Sequence, residues 1–276
     1  MRHSNITRIL SHAAFAAALI IFITNTSVGA EESKIDSSTT IDELKALASG
    51  GNTDAMLKLG ERLIPEQGSD SGATEGLQWL HKAADAGKAQ AWYDLGFVYA
   101  NGAGVKADMA EAMKYFRMGA EKGNADCQTS MGMFYQAGER IPGGVKADAA
   151  EAAKWYRMAA DQNHTEAIFH LAQLYLGGEG VKQDDAEGVK WFRKGAELGS
   201  AEAQWNLGLC YRAGKGVTKD LVQTYALWAA AAEGAEEPDQ KKGMAEQLEK
   251  LGKELNADQL KEAERLAEEW KVKKAK

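Results

Sequence analysis

A period of thirty-six residues dominates this chain. Gly60, Gly96, Gly132, Ala172 and Gly208 stand 36, 36, 40 and 36 residues apart. Each follows an apolar residue, Leu59, Leu95, Met131, Leu171 or Leu207, and four residues earlier comes a small one, Ala55, Ala91, Cys127, Ala167 or Ala203. Three residues after the glycine position an aromatic recurs as Tyr99, Tyr135, Tyr175 and Tyr211, with Leu63 in the first copy. The single 40-residue spacing reflects four extra residues in the loop around Glu139 to Gly143. Five units in register point to a stacked array in which each unit buries its apolar face against its neighbours.

Each unit has the same grammar. Spacings of four, one and three residues place the small, Leu, Gly and Tyr positions on one face of a first helix. Gly102, Gly138, Gly178 and Gly214 end that helix, and loops closing on Gly-Val (104–105, 144–145, 180–181, 216–217) follow. Asp108, Asp148, Asp184 and Asp220 then stand three residues before Glu111, Glu151, Glu187 and Gln223, a capping-box pattern with Asp as the cap. A second helix carries the large aromatics, Trp79, Tyr115-Phe116, Trp155-Tyr156, Trp191-Phe192 and Trp228, and ends at Gly87, Gly123, Asn163 and Gly199. Short turns make the two helices antiparallel neighbours. The expected fold is all-α, a right-handed α/α superhelical solenoid of antiparallel helix pairs.

Composition fits this reading. The 276 residues hold 29 Gly and 3 Pro, as a helical chain with many terminators should. A net charge of −7 has the wrong sign for gripping nucleic-acid phosphates. Two cysteines supply neither a disulfide framework nor a four-cysteine zinc site.

At these positions the chain resembles the Sel1-like repeat family, a branch of the tetratricopeptide-type solenoids. The resemblance rests on copies such as "AEAQWNLGLCYRAGKGVTKD" from Ala201 and "TEAIFHLAQLYLGGEGVKQD" from Thr165, and covers residues 52–235. It implies a non-enzymatic scaffold or regulator that binds a protein or peptide. Some secreted, cysteine-rich relatives are associated with β-lactam binding and hydrolysis, which makes a cell-wall-related hydrolase the alternative. Their paired cysteines are missing here. Eukaryotic founding members suggest a third reading, a subunit of a protein-quality-control complex.

The expected organisation is a signal peptide (1–30), a flexible leader (31–39), a capping helix (40–51), five repeats (52–87, 88–123, 124–163, 164–199, 200–235) and C-terminal capping helices (236–276). Arg2 and Arg8 precede an 11-residue apolar run, Ala13 to Ile23, too short to span a bilayer. Val28-Gly29-Ala30 offers a cleavage site before Glu31. The expectation is export to the periplasm or outside the cell, with no stable membrane insertion after cleavage. Cleavage would remove two arginines and no acids, leaving a charge of −9. Thr40 with Glu43 and Asn256 with Gln259 supply caps for the flanking helices, and Met244, Leu248, Leu251 and Leu255 form one apolar stripe.

No catalytic, metal or cofactor site is expected. His81, His164 and His170 share no ligand spacing, and neither H-E-x-x-H, C-x-x-C, G-x-S-x-G nor S-x-x-K occurs. Cys127 and Cys210 belong to units two repeats apart, roughly 20 Å at usual helix spacings, and read as two buried thiols. Recurring acids are helix caps and first-turn carboxylates. A partner is expected on the concave side, lined by the first helices. Beside the packing face runs a stripe containing Tyr93, Phe97, Met133, Phe169, Gln173, Trp205, Leu209 and Arg212, of types enriched in interface cores. These eight are the candidate contact residues for a protein or peptide; no nucleic acid is expected.

Overall fold

The computed structural model describes residues 35–64, 72–141, 144–235 and 238–273. The expected signal segment lies outside them. The chain divides into two compact units, residues 1–43 and 44–276. In the first, Asp36 accepts from the backbone and hydroxyl of Ser38 at 2.8 and 2.6 Å, which holds its carboxyl below the usual range. Thr40 and Glu43 close a reciprocal capping box, the Thr40 N–H donating to Glu43 at 2.7 Å and the Glu43 N–H to Thr40 Oγ1 at 3.3 Å. This box opens α1 (Ile41–Ser49).

Residues 44–276 are helix pairs stacked in chain order. Repeat 1 is α2 (Thr53–Leu63) with α3 (Ala73–Asp85); repeat 2 is α4 (Ala89–Asn101) with α5 (Met109–Glu121). Repeat 3 is α6 (Ala125–Ala137) with α7 (Ala149–Asp161), joined through a short 3-10 turn at Gly138–Arg140. Repeat 4 is α8 (Thr165–Gly177) with α9 (Asp185–Glu197), and repeat 5 is α10 (Ala201–Ala213) with α11 (Leu221–Gly234). Two further helices, α12 (Pro238–Gly252) and α13 (Ala257–Lys273), complete an all-α solenoid with no strand among the described residues.

Capping chemistry sets the helix starts. The side chains of Asp108, Asp148, Asp184 and Asp220 accept the N–H three residues on at 2.9–3.0 Å. Asn52, Asn124, His164 and Ser200 do the same for α2, α6, α8 and α10. Asn163 ends the α7 turn at φ 69° without being glycine, in the left-handed region that asparagine tolerates better than most residues.

Packing within a pair explains the glycine that four of the five first helices carry, Ala172 standing there in α8. A Cβ on Gly96 would lie 2.6 Å from the Phe116 ring, one on Gly132 2.5 Å from Tyr156, and one on Gly208 2.6 Å from Trp228. The aromatic of the second helix thus presses directly on the backbone of the first. Successive pairs are pinned by a second recurring contact. Arg117 donates to the Tyr135 hydroxyl at 2.9 Å and Arg193 to that of Tyr211 at 2.6 Å, with Arg157 and Tyr175 joined in the same way.

The last repeat is covered. Helix α13 packs along α11 as a paired helix does, and it buries Ala263, Ala267 and Trp270. Helix α12 also rests on α11, with Met244 and Leu251 buried. The Asn256–Gln259 box at 2.9 and 3.0 Å fixes the start of α13.

Candidate functional site

First helices of consecutive repeats approach one another, α2 with α4, α4 with α6 and α8 with α10. Elements that crowd together lie on the inner side of a bent stack, so the first helices line the inner face of residues 44–276.

The eight sequence-expected residues fall into three environments. Phe97 is 54% exposed, Leu209 42% and Met133 36%, and Gln173 is also exposed. All four occupy one register position, one residue past the glycine or alanine. Each first helix from α4 to α10 therefore presents one open side chain there, three of them large and apolar.

Tyr93, Phe169 and Trp205 are half-buried. Tyr93 lies 5.7 Å from the Phe116 ring and Phe169 6.0 Å from Phe192. Trp205 stacks on Trp228 at 4.3 Å, and its carbonyl accepts from Trp228 Nε1 at 3.0 Å. Part of each ring is therefore spent on the second helix of its own repeat. Arg212 is half-buried too. Its guanidinium lies 5.4 Å from the Trp228 ring and 3.4 Å from the Glu254 carboxylate, which engages it with the turn between α12 and α13.

Two clefts open between neighbouring first helices. The first, about 430 Å³, lies between α2 and α4 and is walled by Glu61, Ile64, Leu80, Asp94, Phe97 and Val98. The second, about 400 Å³, lies between α6 and α8 and includes Gln136, Phe169, His170, Gln173, Leu174 and Lys215. They are the same cleft in the repeat register. Asp94 corresponds to His170, Phe97 to Gln173, Val98 to Leu174 and Ile64 to Gln136.

Their chemistry differs. Gln90 Nε2 donates to Asp94 Oδ1 at 3.2 Å, while Oδ2 is buried with no hydrogen-bond partner among the described residues. Burial pushes this carboxyl up to about 6. In the second cleft His170 stacks on Tyr156 at 4.8 Å, and burial lowers its proton affinity. Tyr156 donates to Gln136 at 2.9 Å.

Asp94 and Glu61 were not among the sequence-expected residues. The signal available was the position two before the glycine, which reads Lys58, Asp94, Ser130, His170 and Asn206. Its chemistry changes from repeat to repeat, while the position after it stays Leu or Met.

The remaining candidates for chemistry sit in structural roles. Cys127 and Cys210 are free and buried, and burial pushes both thiols up, away from the reactive thiolate. His164 Nδ1 accepts the Ala167 N–H at 3.3 Å, and Nε2 lies 3.0 Å from Asp126 Oδ1. His81 meets Tyr115 edge-on at 5.6 Å. Among the described residues no three His, Cys, Asp or Glu side chains stand together as metal ligands. No described helix is long and apolar enough to cross a membrane.

Comparison with known proteins agrees with this architecture. The Sel1 repeat model matches residues 53–88, 89–124, 125–164, 165–200 and 201–235. The crystal structure of c5321, a protective antigen present in uropathogenic Escherichia coli strains and displaying an SLR fold, is 31% identical, with a TM-score of 0.71. That match covers 85% of this chain and 49% of c5321, so the chain spans about half the length of that antigen. A Sel1 repeat protein from Oxalobacter formigenes is 29% identical over 83% of this chain and 93% of its own, with a TM-score of 0.65. No curated protein matches significantly. On the five matched repeats and the helix-pair stack, the chain belongs to the Sel1 repeat family.

Proposed function

We propose that the protein is an exported, non-enzymatic scaffold or regulator that holds a protein or peptide segment against its first helices. Sel1 repeats commonly mediate protein–protein interaction. The observation that carries the reading is the row of open apolar side chains Phe97, Met133 and Leu209, one to a repeat on the inner face. Large apolar and aromatic residues that stay exposed on a helix whose other faces are packed are available to anchor a partner. Tyr93, Phe169 and Trp205 stand one helical turn before Phe97, Gln173 and Leu209, and Gln173 continues the row with an amide. The basic start, short apolar run and small-residue cleavage site of residues 1–30 support export.

The test is affinity capture from cells that express the protein, comparing wild type with the Phe97→Ser, Met133→Ser, Leu209→Ser triple variant. Loss of captured partners at unchanged helicity and melting temperature supports the reading. Undiminished capture by a folded triple variant refutes it. Fractionation of the same cells, with N-terminal sequencing of the mature chain, tests export and a start at Glu31.

A further inference from the structure

The clefts between first helices are a product of repeat geometry, and the side chain two before the glycine decides what each one offers. Four repeats fill that position with Lys58, Ser130, His170 or Asn206. An acid is therefore not demanded by the fold. In repeat 2 the acid has a cost, because a buried oxygen without a donor is unfavourable in any protein interior. A group that carries such a cost, at a site where its own repeat family does without it, points to a partner that relieves it.

The surroundings define that partner. Glu61, the other acid of the cleft, is already held by Lys58 at 2.7 Å. Among the described residues Asp94 keeps only the neutral amide of Gln90, whose oxygen is itself engaged by Asn124 Nδ2 at 3.1 Å. The cleft thus retains one uncompensated carboxyl. Its walls are apolar, with Ile64, Leu80 and Val98 behind and the open ring of Phe97 at the mouth. An aliphatic stem fits those walls, a planar cation fits the carboxyl, and the same cation stacks on an exposed aromatic face. Arginine combines all three.

We propose, building on the inner-face reading above, that the cleft between repeats 1 and 2 receives an arginine side chain of the bound peptide segment. The guanidinium pairs with Asp94 and lies against Phe97. Because Oδ2 is screened from water, the carboxyl turns toward the cleft as the guanidinium enters.

The experiment is selection of a random dodecapeptide library, displayed on phage, against the immobilised full chain. Wild type, Asp94→Asn and Phe97→Ala are panned in parallel, and Tm is measured for each. The expected result is arginine enriched at one position of the wild-type consensus. Peptides so selected should bind Asp94→Asn about tenfold or more weakly, as loss of a desolvated charge pair predicts. The Tm of Asp94→Asn should be unchanged or raised, which a structural role for Asp94 would not allow. A wild-type selection without enriched arginine, an empty one included, overturns the proposal, as does arginine enrichment that survives Asp94→Asn. Peptides lost with Phe97→Ala yet indifferent to Asp94→Asn overturn the arginine pairing alone. Peptides indifferent to both variants count against the inner-face reading itself.

Discussion

Arg193 of α9 donates to the hydroxyl of Tyr211 on α10 at 2.6 Å, tying the second helix of one repeat to the first helix of the next. The same pairing joins Arg117 to Tyr135 and Arg157 to Tyr175, each across 18 residues of sequence. The contact is charge-assisted and half-buried, and it supplements the apolar stacking between repeats. Its loss should therefore weaken coupling between units without disturbing any one helix pair. Tyr211→Phe keeps the ring and removes the acceptor, and should cost about 1 kcal/mol. In urea the expected sign is a lower midpoint with a broader transition, as repeats begin to unfold separately. An unchanged midpoint would show the bond to be neutral.

Gly132→Ala sets two effects against each other. Helix propensity favours alanine by up to about 1 kcal/mol. The new Cβ, however, would stand 2.5 Å from the Tyr156 ring, which is fully buried and bonded to Gln136. Overpacking of this kind costs about 1–3 kcal/mol, so steric conflict should win. Thermal unfolding should show a clear fall in Tm. The control is Gly243→Ala, where a Cβ meets nothing within 4 Å and propensity alone should act.

His164→Ala should destabilise by about 1 kcal/mol through loss of the α8 cap. His164→Asn should recover most of that, because Asn124 and Asn52 perform the same duty at equivalent positions. Chemical denaturation of the pair separates capping from the Asp126 contact. A deficit in the asparagine variant as large as in the alanine variant would assign the stability to the His164–Asp126 interaction.

The burial of Asp94 gives a pH signature with a definite sign. Its carboxyl titrates near 3.8 when exposed and at about 6 in the folded chain. Between those values the folded protein holds a proton that the unfolded chain has released. The penalty is therefore fully present above pH 6 and fades as pH falls toward 4. The charges around the group are Glu61 with its partner Lys58, and Asp126. Asp94→Asn should raise Tm most at pH 7.5, with the gain shrinking below pH 6. A gain that is constant with pH would mean the carboxyl titrates normally.

Much of the fold was legible because a repeat states its rules five times. The Asp108, Asp148, Asp184 and Asp220 caps, the positive-φ Asn163 and the buried Cys127 all follow from local chemistry or register. The candidate face was legible only in part. Sequence spacing placed Tyr93, Phe97 and their counterparts on one stripe, but which of them stay open depends on how closely the second helix approaches. That distance is set by tertiary packing, as in the Trp205–Trp228 stack. Asp94 was hidden for a similar reason. Its significance lies in an unpartnered oxygen and a cleft between two helices, neither of which has a one-dimensional trace.

On the proposed function the partner meets the inner face, not the outer. Site-specific incorporation of a photo-cross-linking amino acid, in cells that express the protein, tests it most directly. Positions 97, 133 and 209 probe the inner row, and Met118 and Met158, exposed at 43% and 46% on second helices, probe the other side. Discrete adducts are expected from 97, 133 and 209 and none from 118 or 158. Adducts confined to 118 and 158 would contradict the inner-face reading.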